Sequence, residues 1–217
     1  MIKRVLAGAA LCSVVPAFAA ANLVTGASVE SAAVAPGAWA TFSGSDLPAW
    51  LALPGDSIEV RNGIGGTARQ GVNFVELDST HNRSMLAASS TVVGHAYSLS
   101  VHYSGRSTRA DDNPGVTSGV VPGSSDGLSV SVAGTTVNLV SPANTTLDNL
   151  WAFYTATFVG TSKSMSLLFA ATGDNDSHGG SLDNVSVTPV PEPTTLAMMG
   201  AGLLGLVGLG RRRERAR

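Results

Sequence analysis

A period of two recurs along the middle of this chain. Tyr97, Leu99, Val101 and Tyr103 alternate with Ser98, Ser100, His102 and Ser104. Leu128, Val130 and Val132 alternate with Ser129 and Ser131, and Met165, Leu167 and Phe169 with Ser164 and Ser166. Alternate residues of a strand point to opposite faces, so this pattern specifies sheets with one dry and one wet side. Helical periodicity is nearly absent from residues 22–189. Further strands are expected at 38–43, 57–61, 73–78, 135–140, 151–159 and 182–188, with Gly, Pro, Asn and Asp between them. About nine short strands in about 170 residues predict an all-β jelly-roll β-sandwich. Residues 106–126 carry no apolar pattern and are expected to form a long surface loop, where sites often lie.

Both ends read as targeting segments rather than fold. Residues 1–21 have the form of a signal peptide: basic Lys3 and Arg4, an apolar run from Val5 to Val15, then Ala17-Phe18-Ala19 before a cleavage point at Ala19 or Ala21. The run is too short to span a bilayer, which takes about 20 residues. The sole cysteine, Cys12, leaves with that peptide, so a mature chain has no disulfide or thiol nucleophile. Within 22–189, six basic residues face thirteen acidic ones, giving a body of about −7 inside a chain of −2 overall. An acidic body argues against nucleic acid as a partner, because the phosphate backbone needs a basic face.

Residues 190–217 have three parts in order. Val190-Pro191-Glu192-Pro193 stops regular structure, since proline lacks a donor and fixes φ. Residues 194–210 are uncharged, and as a helix would cover about 25 Å, marginal for a hydrocarbon core of about 30 Å. Five arginines and one glutamate then close the chain, which sets that end on the cytoplasmic side. This order resembles the PEP-CTERM sorting signal of Gram-negative bacteria. The resemblance implies an exported protein held at the inner membrane by a C-terminal transmembrane helix in transit, then displayed at the cell surface or in the extracellular matrix. It also implies an exosortase-type peptidase as partner, with Pro191, Glu192 and Pro193 as recognition residues.

The body carries a second resemblance. Asn22-Leu23-Val24-Thr25-Gly26-Ala27-Ser28-Val29-Glu30, Ser57-Ile58-Glu59-Val60, residues 71–79, 97–101 and 151–155, and the closing Leu182-Asp183-Asn184-Val185-Ser186-Val187 follow in the order seen in galactose-binding-like jelly rolls. The chain departs from that pattern at Val29, where an aromatic is preferred, and at Gly26-Ala27. The resemblance implies a 22–189 domain of the type found in carbohydrate-binding modules, with extracellular polysaccharide as a candidate partner. It also implies a structural calcium between Glu30, near the first strand, and Asp183, near the last. Calcium takes six to eight oxygens, part of them backbone carbonyls.

Other candidate chemistry is thinner. Asp174, Asp176 and His178 mimic half of an EF-hand loop, but position twelve is Val185 and no helices flank it. His81, His95, His102 and His178 share no zinc spacing, and no nucleophile elbow is present. Glu59, Glu76 and Asp78 are the carboxylates a secreted glycan hydrolase would use, with Glu76 and Asp78 about 7 Å apart on one strand face; the alternative is an ordinary polar sheet face. Aromatics are 6% of the chain; most of Trp39, Trp50, Trp151, Tyr103 and Tyr154 are expected in the core. The reading is therefore a non-catalytic, surface-anchored protein that binds or organises polysaccharide. A purely structural envelope or matrix protein is the alternative.

Overall fold

The computed structural model describes residues 20–24, 26–106, 126–140, 144, 148–173, 175, 177, 179–191, 199–206 and 211. Eleven strands are found among them: β1 Ala38–Ser43, β2 Trp50–Ala52, β3 Ser57–Asn62, β4 Asn73–Glu76, β5 Ser84–Ser90, β6 Ala96–Ser104, β7 Gly127–Val132, β8 Thr135–Val140, β9 Ala152–Val159, β10 Ser164–Thr172 and β11 Ser181–Pro189. They form two antiparallel sheets in the orders β1-β3-β4-β11-β6-β9 and β2-β5-β10-β7-β8. The fold is the jelly-roll β-sandwich that the alternation specifies.

The core lies between the sheets. From the six-stranded sheet come Val60, Val75, Leu99, Val101, Tyr103 and Leu182; from the other come Met85, Ala87, Leu128, Val130, Leu167 and Phe169. Trp50 sets its ring edge-on to Phe169, with centroids 5.5 Å apart, and donates its indole N–H to Gly26 O at 3.0 Å. That bond satisfies the one polar atom of a large buried aromatic. Between β7 and β8, Ala133 and Gly134 both have positive φ, 52° and 75°. This two-residue turn matches the right-handed twist of a hairpin.

The chain ends of the domain meet. Asn22 donates its side-chain amide to Val185 O at 2.9 Å and accepts Val187 N–H at 2.9 Å, while Leu23 N–H bonds Val187 O at 2.8 Å. The N-terminal segment is thereby tied along β11.

Two strands were not expected. β2 has three residues, too few for a periodic signal. β5 reads Ser-Met-Leu-Ala-Ala-Ser-Ser, without the β-branched residues that mark strands, yet Met85, Ala87 and Ser89 are its buried set. Residues 1–19 and 107–125 lie outside the described residues, as does most of the tail; so do the expected signal peptide and the interior of the expected loop. The two ends of that loop are described and are buried: Arg106 donates its N–H to Asp126 Oδ2 at 3.0 Å. Residues 199–206 are helical. Among the described residues no helix is long and apolar enough to cross a membrane.

Candidate functional site

The outer face of the six-stranded sheet carries a cluster of buried polar side chains, among them Arg61, Glu76, His102 and Asp183. Strand register places one row of side chains across it. Trp39 pairs with Arg61 and Arg61 with Phe74. Asp183 follows Leu182, whose partner is Val75, so Asp183 stands beside Phe74; it pairs in turn with His102, and His102 with Phe153. Cross-strand partners share a face. The row therefore runs from Trp39 on the β1 edge to Phe153 on the β9 edge.

Its middle is covered and its ends are open. The segment of residues 63–72 folds over the centre. It is clamped by Asp148, which accepts Thr67 N–H at 2.6 Å and the Thr67 hydroxyl at 2.9 and 3.0 Å. Asn149 and Trp151 both donate to Thr67 O, at 3.0 and 3.1 Å, and the Trp151 ring stands edge-on to Phe74 at 6.1 Å. Under this flap Arg61, Phe74 and Asp183 are buried, whereas Trp39 stays 52% exposed and Phe153 60% exposed. Of the five aromatics, most of which are expected in the core, Trp50 and Tyr103 are buried, Trp39 sits on the wet side of edge strand β1, and Trp151 and Tyr154 are half-buried.

A β-bulge shapes the Phe153 end. Register between β11 and β6 shifts between Asp183 and Ser186, and Asn184 takes φ 50° there. Bulges re-aim side chains. Here the Asn184 amide nitrogen comes within 3.4 Å of His102 Nδ1. Burial first, and the Arg69 charge second, lower the His102 pKa. A neutral imidazole can accept the Asn184 N–H at Nδ1. The His102 ring lies 5.0 Å from Phe153, tilted by 44°. One register step on, Ser100 pairs with exposed Thr155.

Glu30 and Asp183, far apart in sequence, hold the same flap. Asp183 accepts the N–H groups of Arg69 at 2.7 Å, Gln70 at 2.9 Å and its neighbour Asn184 at 2.5 Å. Burial raises its pKa, those three bonds lower it, and Glu30 raises it again. Glu30 accepts Val72 N–H and Asn73 N–H at 3.0–3.2 Å. Gly71 has φ +70°, and a Cβ there would fall 2.3 Å from the Glu30 carboxyl carbon. The two carboxylates are hard oxygen donors of the kind calcium takes. Their hydrogen-bond partners among the described residues are backbone N–H groups, and no group of three or more His, Cys, Asp or Glu able to hold a metal is found among those residues. The further oxygens of a calcium shell would have to come from carbonyls and water. Asp174, Asp176 and His178 lie outside the described residues.

The hydrolase carboxylates are placed differently from their expectation. Glu59, Glu76 and Asp78 are all buried, so they form neither an open acid–base pair nor a solvated polar face. Glu59 Oε1 binds Arg61 Nε at 2.7 Å, and Arg61 reaches Glu76 Oε2 at 3.8 Å. β4 ends at Glu76, so strand alternation does not extend to Asp78; Glu76 Oε1 accepts Asp78 N–H at 3.0 Å and Gly179 N–H at 2.7 Å. Asp78 Oδ2 accepts Ser177 N–H at 3.1 Å. These carboxylates anchor the segment leading into β11. Burial is the main cause that raises the Glu76 pKa to about 7, partly offset by Arg61. Of the other histidines, His81 pairs with Asp56 at 3.3 Å.

Residues 189–213 match the PEP-CTERM protein-sorting motif. The chain carries this sorting signal. The PEP-CTERM motif marks an exported protein, anchored at the membrane in transit, and implies processing by an exosortase. Pro191 is exposed two residues after the end of β11, while Glu192 and Pro193 lie outside the described residues. No curated protein matches the chain. Among solved structures the chain is similar to TmCBM61 in complex with beta-1,4-galactotriose, at 13% identity and a TM-score of 0.43, over 78% of this chain and 99% of that one. It is similar to a family 35 carbohydrate-binding module from Clostridium thermocellum, at 13% identity and a TM-score of 0.39, over 69% and 97%. It also resembles an arabinose-bound MgGH51 α-L-arabinofuranosidase, at 11% identity and a TM-score of 0.46, over 78% of this chain and 26% of that one.

Proposed function

We propose that this PEP-CTERM protein is a non-catalytic surface protein whose sandwich domain binds extracellular polysaccharide. The observation that carries the reading is the outer sheet face, which keeps an aromatic ring in water amid hydroxyl and amide side chains. Binding surfaces for small polar ligands combine such apolar platforms with a few placed polar groups. The acidic body suits solubility outside the cell. The carboxylates that could serve a hydrolase are buried and hold backbone N–H groups, which supports a non-catalytic role. In this reading the tail spans the inner membrane until an exosortase-type peptidase acts at Pro191, Glu192 and Pro193. The domain then remains at the surface or in the matrix. A glycan array probed with the detergent-solubilised full chain tests the reading. Retention on polysaccharide is expected. A deletion strain with a looser matrix, together with no retention on any glycan, would favour a purely structural role.

A structural calcium held by Glu30 and Asp183 belongs to the same proposal. Both carboxylates hold the same flap, and a cation there would offset the mutual repulsion that contributes to Asp183's raised pKa. Thermal unfolding of the full chain in calcium and in chelator tests this. A higher midpoint in calcium, lost in Glu30→Gln, is expected; equal midpoints would end it.

A further inference from the structure

We infer that the β9 end of the outer face is a sugar subsite, taking one hexopyranose unit of a polysaccharide against the Phe153 ring, with Asn184 as its amide hydrogen-bonding group. The inference rests on the polysaccharide reading and gives it a location. A single exposed apolar side chain is ordinary on a protein surface. Phe153 differs because three independent features converge on it.

The first is rigidity. Phe153 lies on a regular strand, paired to β6, and its ring rests on His102, which is itself buried. A ring held this way loses little freedom when a ligand stacks on it. The second is the bulge. An extra residue in β11 costs one ladder position and puts a non-glycine residue at positive φ, a conformation asparagine tolerates better than most. Its result is a planar amide, partly exposed, on the same side as the ring. With one amide hydrogen directed to His102, the amide retains its oxygen and a second hydrogen for a ligand hydroxyl pair. The third is the polar rim. Thr155 and Ser100 lie one step along the same face, and exposed Arg69 stands at the flap edge, near enough for its charge to affect His102.

A pyranose ring has this complementary form. Its axial C–H groups make an apolar face that stacks on an aromatic ring, and its edge carries hydroxyls that both donate and accept. A protein partner of ordinary affinity would need about 800 Å² on this side, far more than one ring and its rim present. The clamp on residues 63–72 leaves this end open while closing the middle of the same row.

The test is native affinity electrophoresis of the detergent-solubilised full chain through gels containing galactan, mannan or polygalacturonate. Four variants run alongside: Phe153→Ala, Phe153→Trp, Asn184→Gly and, as a control on the other sheet, Val140→Ala. Glycine accepts the positive φ, so Asn184→Gly removes the amide without straining the bulge. Circular dichroism verifies that each variant is folded. The expected result is retardation of the wild type in at least one gel, weakened roughly tenfold or more in Phe153→Ala and Asn184→Gly, and kept in Phe153→Trp and Val140→Ala. Equal retardation of the wild type, Phe153→Ala and Asn184→Gly would overturn this subsite while leaving polysaccharide binding intact. No retardation of the wild type in any gel would overturn both.

Discussion

Glu76 offers a quantitative test of how the interior is held together. Its side chain is 0% exposed, and burial lifts its pKa from 4.5 to about 7. A carboxyl whose folded pKa lies above its unfolded value binds more protons folded than unfolded in the window between them. Stability must then fall as pH rises through that window, from about 4.5 to about 7, and level off above it. At about 1.4 kcal/mol per pKa unit, the full loss is about 3 kcal/mol. Asp183, also raised, adds in the same direction, while His102, lowered by burial and Arg69, opposes it. The comparison with Glu76→Gln isolates the Glu76 part. Glutamine keeps the carbonyl that accepts Asp78 and Gly179 N–H but cannot ionise. Urea midpoints for both full-length proteins at pH 5 and pH 8 are the assay. The wild type should lose more stability than Glu76→Gln between those values, by about 2.5 kcal/mol, since part of the loss is complete by pH 5. Equal losses in the two proteins would rule out a raised Glu76 pKa. They would mean that the network from Arg61 holds Glu76 ionised.

Other residues give sharper structural tests. Asn22→Ala removes both side-chain bonds that tie the N-terminal segment to β11 and should cost about 1–3 kcal/mol in urea unfolding. Gly71→Ala forces a Cβ onto the Glu30 carboxyl at positive φ; it should destabilise by more than about 1 kcal/mol and speed hydrogen exchange at residues 69–73. Gly180→Ala would put a Cβ 2.0 Å from the Tyr103 hydroxyl and should lower the thermal midpoint, with Tyr103→Phe,Gly180→Ala recovering part of the loss. Replacing Pro191, Glu192 and Pro193 with alanine should leave the uncut chain in the membrane fraction, as read by intact mass.

The sheets were legible where their sequence alternates. β1 and β8 fall at the expected limits, and β3, β6, β7 and β9 within a residue of theirs. β5 was not legible because its buried set is one methionine, one alanine and one serine, whose strand character comes from the neighbours β2 and β10. That Glu30 and Asp183 hold one flap is in keeping with the pairing that the galactose-binding-like resemblance implied. Burial of Glu59 and Glu76 did not follow, because alternation says which residues share a face and is silent on what covers that face. Glu59 is held by Arg61, and Glu76 lies under the segment before β11, whose Gly179 N–H it accepts from 103 residues away in sequence. Phe153, His102 and Asn184 were missed as a group for a related reason. His102 reads as one polar residue in an alternating strand, and only the bulge at Asn184, invisible in a single sequence, brings the amide beside it.

The outer sheet face of the exported domain is the proposed polysaccharide surface. The deciding measurement is co-sedimentation of the full chain with exopolysaccharide purified from its own host. Saturable pelleting by the wild type, lost in Phe153→Ala while that variant remains folded, is the predicted result. A wild-type protein that stays in the supernatant at every polysaccharide concentration would exclude polysaccharide binding.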